Sequence, residues 1–269
     1  MKLISLNSFG GTFFEPLRAF VTAHAPDTDI FCFQEILSAT APPLVSDGAR
    51  TNLLQELIIA LPDFQYFFAP TQTHFNLTQL VDQKMETGVA TFMKKNLPLA
   101  TTGSFFVYGI PNGLVGNNFV TLPYNTHHVT LSFEEKMLTV CNFHGTAEPG
   151  SKFDTPERLA QSQKVLNFLS GQSGAKIVCG DFNLLPHTQS VGMFEQNGFR
   201  NLIKEFKITS TRGSLLKKIH PEYGANKYGF QEFADYTFVT PDIQVTNFQV
   251  PDLPISDHLP MILEFDLLL

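Results

Sequence analysis

Six apolar runs of this chain are bounded by a carboxylate, a carboxamide or an imidazole. They are "ISLN" at Asn7, "FCFQE" at Gln34 and Glu35, "VCNFH" at Asn142 and His144, "IVCGDFN" at Asp181 and Asn183, "FADYTFV" at Asp235 and "ISDH" at Asp257 and His258. A core that merely needed closing would not bound its strands this way, and strand ends are where an α/β scaffold presents reactive groups. The chemistry open to these side chains is narrow. Asn, Asp and Glu offer hard oxygens without the paired Cys or His of a zinc site, so a bound metal is expected to be Mg²⁺ or Mn²⁺, holding waters and a phosphate oxygen. His258 titrates near neutral pH and serves as a proton carrier or as a cation facing a phosphate, provided a carboxylate fixes its tautomer. Asp235 is the candidate orienter. Asp181 would position a water for in-line attack, with Asn183 and His144 donating to the non-bridging oxygens. Together these residues describe a site that hydrolyses a phosphoester. The competing reading of Ser256, Asp257 and His258 is a capped turn, ordinary loop chemistry for such residues.

Strands must carry these groups. Short β-branched or aromatic runs predict them at residues 3–6, 30–33, 89–92, 129–133, 138–143, 177–179, 236–239 and 261–265. The clearest helix is expected over residues 156–169, where Thr155 can N-cap, Pro156 suits the first turn, and Leu159, Ser162, Leu166 and Leu169 recur three or four apart. Two more are expected near residues 15–24 and 50–60. This mixture predicts an α/β sandwich with sheets inside and helices outside.

Composition narrows the setting. The 269 residues, 43% hydrophobic, show no linker, repeat or charge block that would divide them, so a single domain spanning 1–269 is expected. With 27 Phe, no Trp and 6 Tyr, aromatic packing falls to a side chain without a polar handle, which points to the core. Cys32, Cys141 and Cys179 each lie in an apolar run and read as reduced core residues. No signal-peptide pattern and no membrane-length apolar span is found, so the expectation is a soluble, cytoplasmic protein, taken to be a monomer. A net charge of −7 argues against tight binding to long duplex nucleic acid. Between Arg200 and Phe230, however, Arg200, Lys204, Lys207, Arg212, Lys217, Lys218 and Lys227 face only Glu205 and Glu222. That segment is expected to face the site and receive a small anion, or else to be solvated surface.

"SLN", "QE", "GDFNLLP", "DYTFV" and "SDHLP", in this order across nearly the whole chain, resemble the endonuclease/exonuclease/phosphatase superfamily. The resemblance implies a four-layer sandwich, two packed, mostly antiparallel sheets flanked by helices. It also implies Mg²⁺, with Mn²⁺ as a substitute, held by Asn7 and Glu35 and, directly or through water, by Asp257. Asp181 and Asn183 match the family's "GDFN" pair and Asp235 with His258 its dyad. His144 resembles the histidine of pancreatic deoxyribonuclease and the sphingomyelinases. Arg212 and Asn142 are the expected substrate contacts. The implied activity is hydrolysis of a phosphoester, with a phosphodiester expected first, in an intracellular enzyme of bacterial type. The alternatives are a nuclease acting on short or single-stranded nucleic acid, and a binding module that keeps the fold without the catalysis.

Overall fold

The alternation of the apolar runs builds two stacked sheets. The computed structural model describes residues 1–134, 136–219, 221–222 and 229–268. In the first sheet, Ile243–Gln249 (β13), Met261–Leu267 (β14), Lys2–Asn7 (β1), Ile30–Ser38 (β2), Glu86–Lys94 (β6) and Phe64–Thr73 (β5) lie side by side in that order. The second sheet runs through Arg200–Asn201 (β11), Asp235–Val239 (β12), Ala175–Asp181 (β10), Lys136–His144 (β9), Tyr124–Phe133 (β8) and Leu99–Tyr108 (β7). Each sheet holds one parallel pair, β1 with β2 and β9 with β10, among antiparallel neighbours. The helices are Phe14–His24 (α1), Leu53–Ala60 (α2), Pro156–Ser170 (α3), Gln189–Gln196 (α4), Leu202–Glu205 (α5) and Ser214–Ile219 (α6).

Successive side chains of a strand point to opposite faces, and the clusters follow that rule. Leu3, Ile30 and Cys32 join residues of the second sheet in the core between the sheets. Ile4, Leu6, Phe31 and Phe33 face outward and pack with Leu17 and Val21 of α1 and Leu53 and Leu57 of α2. Val165, Leu166 and Leu169 of α3 cover the second sheet. The fold is therefore the expected sandwich of two sheets flanked by helices.

Every strand expected from the apolar runs is present. Three long strands, β5, β7 and β13, were not expected: they lie at sheet edges, are half exposed, and so lack a continuous apolar run. The helix expected from residue 50 begins at Leu53, because Ala49–Arg50 (β4) folds back on Val45–Ser46 (β3) through Asp47 and Gly48 at φ 48° and 85°. Asp-Gly between two extended residues is the sequence signal for that turn. Helix α3 begins as expected, with the Thr155 side chain accepting from Arg158 N. Its buried face carries Arg158, Gln161, Ser162 and Val165, whereas Leu159 is only half-buried. The three cysteines are buried and unpaired. Among the described residues no helix is long and apolar enough to cross a membrane.

One group of aromatic rings packs around Phe182, between Asp181 and Asn183. The Phe182 ring lies 4.5 Å from that of Phe143 and 5.4 Å from those of Phe194, Tyr236 and Phe238. Phe182→Ala is expected to cost about 3–5 kcal/mol of stability, measured by urea unfolding. Because Asp181 and Asn183 flank it, the same variant should also lose turnover.

Candidate active site

Strands β1, β9 and β10 end at one edge of the sandwich, where β2 bulges before running on to Ser38, so Asn7, Glu35, His144 and Asp181 meet there. Asn7 shares the inward face of β1 with Leu3 and Ser5, and its Nδ2 reaches Asp181 Oδ2 of the facing sheet at 3.0 Å. Asp181 itself pairs in register with His144 on one side and Asp235 on the other. Glu35 needs a special device. Strict alternation in β2 would send Gln34 inward and Glu35 outward. Gln34 obeys, donating to Asn142 Oδ1 at 2.6 Å. Glu35 has φ 56°, and the register slips between Phe33 and Ile36, so a bulge turns its carboxylate to Asn7 Nδ2 at 3.0 Å. Bulges that re-aim one side chain are a recurrent feature of sites.

The last loop completes the cluster. His258 donates from Nδ1 to Asp235 at 2.8 Å, and its Nε2 lies 3.6 Å from Asp181 Oδ2. Ser256 shapes the turn: its hydroxyl donates to Asn7 O at 2.7 Å and accepts from His258 N at 3.2 Å. His144 Nε2 stands 3.8 Å from the same Asp181 oxygen, its ring edge-on to Tyr124. Arg212 Nη2 donates to Asp257 at 2.8 Å, and Nη1 donates to His258 Nε2. The arginine is delivered by Thr211, whose hydroxyl accepts from Ala234 N and Asp235 N, and by main-chain bonds between residues 211–213 and 257–259.

Electrostatics separates the roles of these groups. Burial, and then the nearby Asp257, push Glu35 up to about 7. Burial alone would raise Asp181, yet His258, Lys152, His144 and Arg212 hold it well below the ordinary carboxylate range. Burial lowers His144 to about 4, leaving it a neutral, single-proton donor at neutral pH. Burial and Arg212 act to lower His258, but Asp235, Asp257 and Asp181 outweigh them and raise it. Ligand atoms of Glu35, His144 and Asp181 lie within 4.8 Å of one another, as do those of Asp181, Asp235 and His258. Either set could hold a divalent cation, and only the first leaves the Asp235–His258 pair intact. Asn7 and Asp257 adjoin that first set, but Asn7 Oδ1 is occupied by Phe9 N and Asp257 Oδ2 by Arg212.

A cavity of about 690 Å³ opens over these residues. The loop from Ala147 to Lys152 lines it, as do Phe9, Leu216, Phe230 and Gln231. The structure brings Asn7, Glu35, His144, Asp181, Asn183, Arg212, Asp235, Asp257 and His258 together. It does not bring Asn142. That residue is one full alternation before His144, about 7 Å deeper into the sandwich at some 3.3 Å per residue. Its carboxamide, fully buried, bonds Gln34, Phe33 O and Ala90 O between the sheets. The expected substrate contact is thus an inter-sheet strut. Asn142→Ala should cost about 2–4 kcal/mol by leaving those partners unpaired, with KM unchanged when unfolding and steady-state kinetics are measured together.

The basic segment also divides. Arg200 pairs with Glu205 and Lys204 with Glu195, both away from the cavity. Lys217 pairs with Glu232 and stacks on Phe230, and Lys227 lies outside the described residues. Only Arg212 of that segment is a cation lining the cavity among the described residues. Sequence reasoning missed Lys152, in "GSKFD", which also lines the cavity and donates to Asn183 Oδ1 at 2.5 Å. A lone lysine in a Gly/Ser loop carries no signal that would have found it.

Comparison with curated proteins gives no match to the chain. Solved structures share its fold. One is an endonuclease/exonuclease/phosphatase from Bacteroides vulgatus, with TM-score 0.68 and 16% identity over 99% of this chain and 98% of that one. A second is a mannosyl-6-phosphatase from Bacteroides thetaiotaomicron, with TM-score 0.65 and 17% identity over 99% of each chain. A third is the human Nocturnin catalytic domain with bound sulfate, with TM-score 0.65 and 16% identity over 99% of this chain and 93% of that one. The model of the Endonuclease/Exonuclease/phosphatase family matches residues 4–258. With that match over nearly the whole length, and strand ends converging on one carboxylate-imidazole cluster, this chain belongs to the endonuclease/exonuclease/phosphatase family, whose members hydrolyse phosphoester bonds.

Proposed function

We propose that the protein is an Mg²⁺-dependent phosphoester hydrolase acting by in-line attack of water, a single catalytic domain working as a monomer in the cytoplasm. The observation that carries this reading is His258, held by Asp235 at Nδ1 while its Nε2 stands 3.6 Å from the ionised Asp181. The donor set fits a hard divalent ion, because Glu35 is a half-buried carboxylate close to Asp257 and Asp181 and a cation relieves that repulsion. Glu35 would hold it, with Asp181 beside it and with Asp257 and Asn7 contributing from the second rank. Such an ion supplies charge neutralisation and polarisation of a phosphoryl oxygen.

The chain's own residues then have distinct tasks. Asp181, kept ionised, orients the attacking water. The water oxygen bonds to phosphorus, and the bond from phosphorus to the leaving oxygen breaks opposite it. The water's proton passes to His258 Nε2 and the leaving oxygen takes one from solvent. In the resting arrangement Nδ1 donates to Asp235 and Nε2 faces Arg212, so the deprotonated form of the ring presents its lone pair at Nε2. Arg212 moves from Nε2 to the phosphate as substrate enters, exposing the lone pair and clamping the anion. Asp235 stabilises the imidazolium that results. Neutral His144 donates one hydrogen bond to a non-bridging oxygen.

Diester and monoester substrates differ in charge at phosphorus, so the cations around the cavity decide between them. The test is hydrolysis of bis(p-nitrophenyl) phosphate and p-nitrophenyl phosphate with Mg²⁺, with Mn²⁺ and with chelator. Turnover restored by either ion supports the reading. Rates unchanged by chelator overturn the metal dependence, and no turnover of any phosphoester would leave a silent binding module.

A further inference from the structure

The Asn183 carboxamide is committed at both ends. Its Oδ1 accepts from Lys152 Nζ at 2.5 Å and its Nδ2 donates to Gly145 O at 3.0 Å. That orientation is forced, because an ammonium only donates and a main-chain carbonyl only accepts. The group best placed to donate to a phosphate oxygen is therefore the one that Asn183 steers.

Lys152 is held there by its own loop. Arg158, fully buried, donates to the carbonyls of Thr146, Ala147, Pro149 and Phe153 at 2.7–3.3 Å, a cage of main-chain oxygens with no carboxylate in it. On either side of the lysine side chain, Gln231 Nε2 donates to Ser151 O and Leu185 N to Lys152 O. Lys152 adopts φ 54°, a conformation that a non-glycine residue keeps only when its surroundings over-determine it. Among the described residues no carboxylate lies within ion-pair distance of Nζ, whereas Arg212 is already paired with Asp257. An ammonium has three donors, and the bond to Asn183 uses one. Burial pushes this ammonium down to about 8, so it is charged at neutral pH yet poorly solvated.

Resting on the phosphoester reading above, we propose that Lys152 Nζ is a direct ligand of the substrate phosphoryl group, in the place the sequence assigns to Asn183, and that it selects a dianionic terminal phosphate over a diester. A terminal phosphate carries close to two charges at neutral pH and a diester one, and an under-solvated cation gains more from the former. The cavity agrees in size. About 690 Å³ is within the range of small-molecule pockets and suits a small phosphomonoester. On this proposal the substrate is a monoester, where the motifs lead to the expectation of a phosphodiester first.

The experiment compares wild type with Lys152→Met and with Lys152→Gln, which keeps a donor for Asn183 Oδ1 but no charge. Loss of one charge-assisted hydrogen bond should raise KM for p-nitrophenyl phosphate and the inhibition constant of inorganic phosphate at least ~10-fold in both variants. KM for bis(p-nitrophenyl) phosphate should change less than ~3-fold. Equal shifts for the two esters, or a fall in kcat with KM and phosphate inhibition unchanged, overturn the proposal. Thermal stabilisation by inorganic phosphate is measured on the same proteins. It separates the two readings, since a wild type that hydrolyses neither ester refutes the phosphoester reading, while phosphate stabilisation kept undiminished by the Met and Gln variants refutes the role of Lys152.

Discussion

His258→Ala and Asp235→Asn are each expected to lower turnover by about a hundredfold or more, within or above the usual range for general acid–base groups. Their double variant should be little worse than His258→Ala alone. The reason is geometric: Asp235 reaches the chemistry only through His258 Nδ1, 2.8 Å away, so once the ring is gone the carboxylate has nothing left to orient or stabilise. Asp235→Asn keeps the side-chain volume but replaces a charged, acceptor-only group with a neutral amide that can also present a donor to Nδ1. It therefore weakens the imidazolium and loosens the tautomer without opening a cavity. A turn-capping role for this loop forecasts a different pattern, because lost caps lower the melting temperature and leave turnover nearly intact. Turnover and melting temperature measured on the same variants separate the two. Additive rate losses would refute the dyad, and a stability loss without a rate loss would return the loop to simple capping.

Glu35→Gln should abolish most metal-dependent turnover and yet stabilise the metal-free protein at alkaline pH. Glu35 titrates near 7 in the fold against 4.5 ordinarily, so its protonated form is favoured by folding. Its contribution to stability is present below the ordinary value and is lost as pH rises through about 7. Above that, a half-buried carboxylate near Asp257 costs on the order of 2–3 kcal/mol, a penalty that an isosteric neutral amide removes. The metal-free variant should then melt several degrees above wild type at pH ~8 and close to it at pH ~5. A divalent cation should reverse the order at the higher pH by stabilising wild type and leaving the variant unmoved. Full turnover of the variant at saturating Mg²⁺ would remove Glu35 from the metal site. Equal melting at both pH values would remove the electrostatic strain.

Much of this arrangement is legible in one dimension. The "GDFN", "DYTFV" and "SDHLP" stretches place a carboxylate or imidazole at the rim of buried strands, and buried strands can end only where the sheet ends. The helix over residues 156–170 follows from Thr155 and Pro156, since capping is local chemistry. The hairpin at Asp47 and Gly48 is equally local, since an Asp-Gly pair favours the positive φ of that turn, and it displaces the start of the helix expected at residues 50–60 to Leu53. The edge strands β5, β7 and β13 were hidden for the opposite reason. Exposed on one side, they owe their extended form to pairing partners distant in sequence.

The sequence by itself determined which residue types stand at the strand ends, and with them the chemistry of hard oxygens, one imidazole dyad and a phosphoryl substrate. Tertiary structure alone decided which of those groups share a space and which way each one faces. Asn142 and His144 are equally polar, point the same way and sit on the same strand. Only the closing distance between the sheets makes one a strut and the other a site residue. Glu35 enters the site through a bulge that breaks the alternation, and Asn183 turns its oxygen inward because Lys152, from a loop caged by Arg158, stands opposite. Strand position follows from burial pattern, a property of neighbouring residues. The direction of a hydrogen bond depends on what the far partner can donate or accept, and that partner arrives only when the chain has folded.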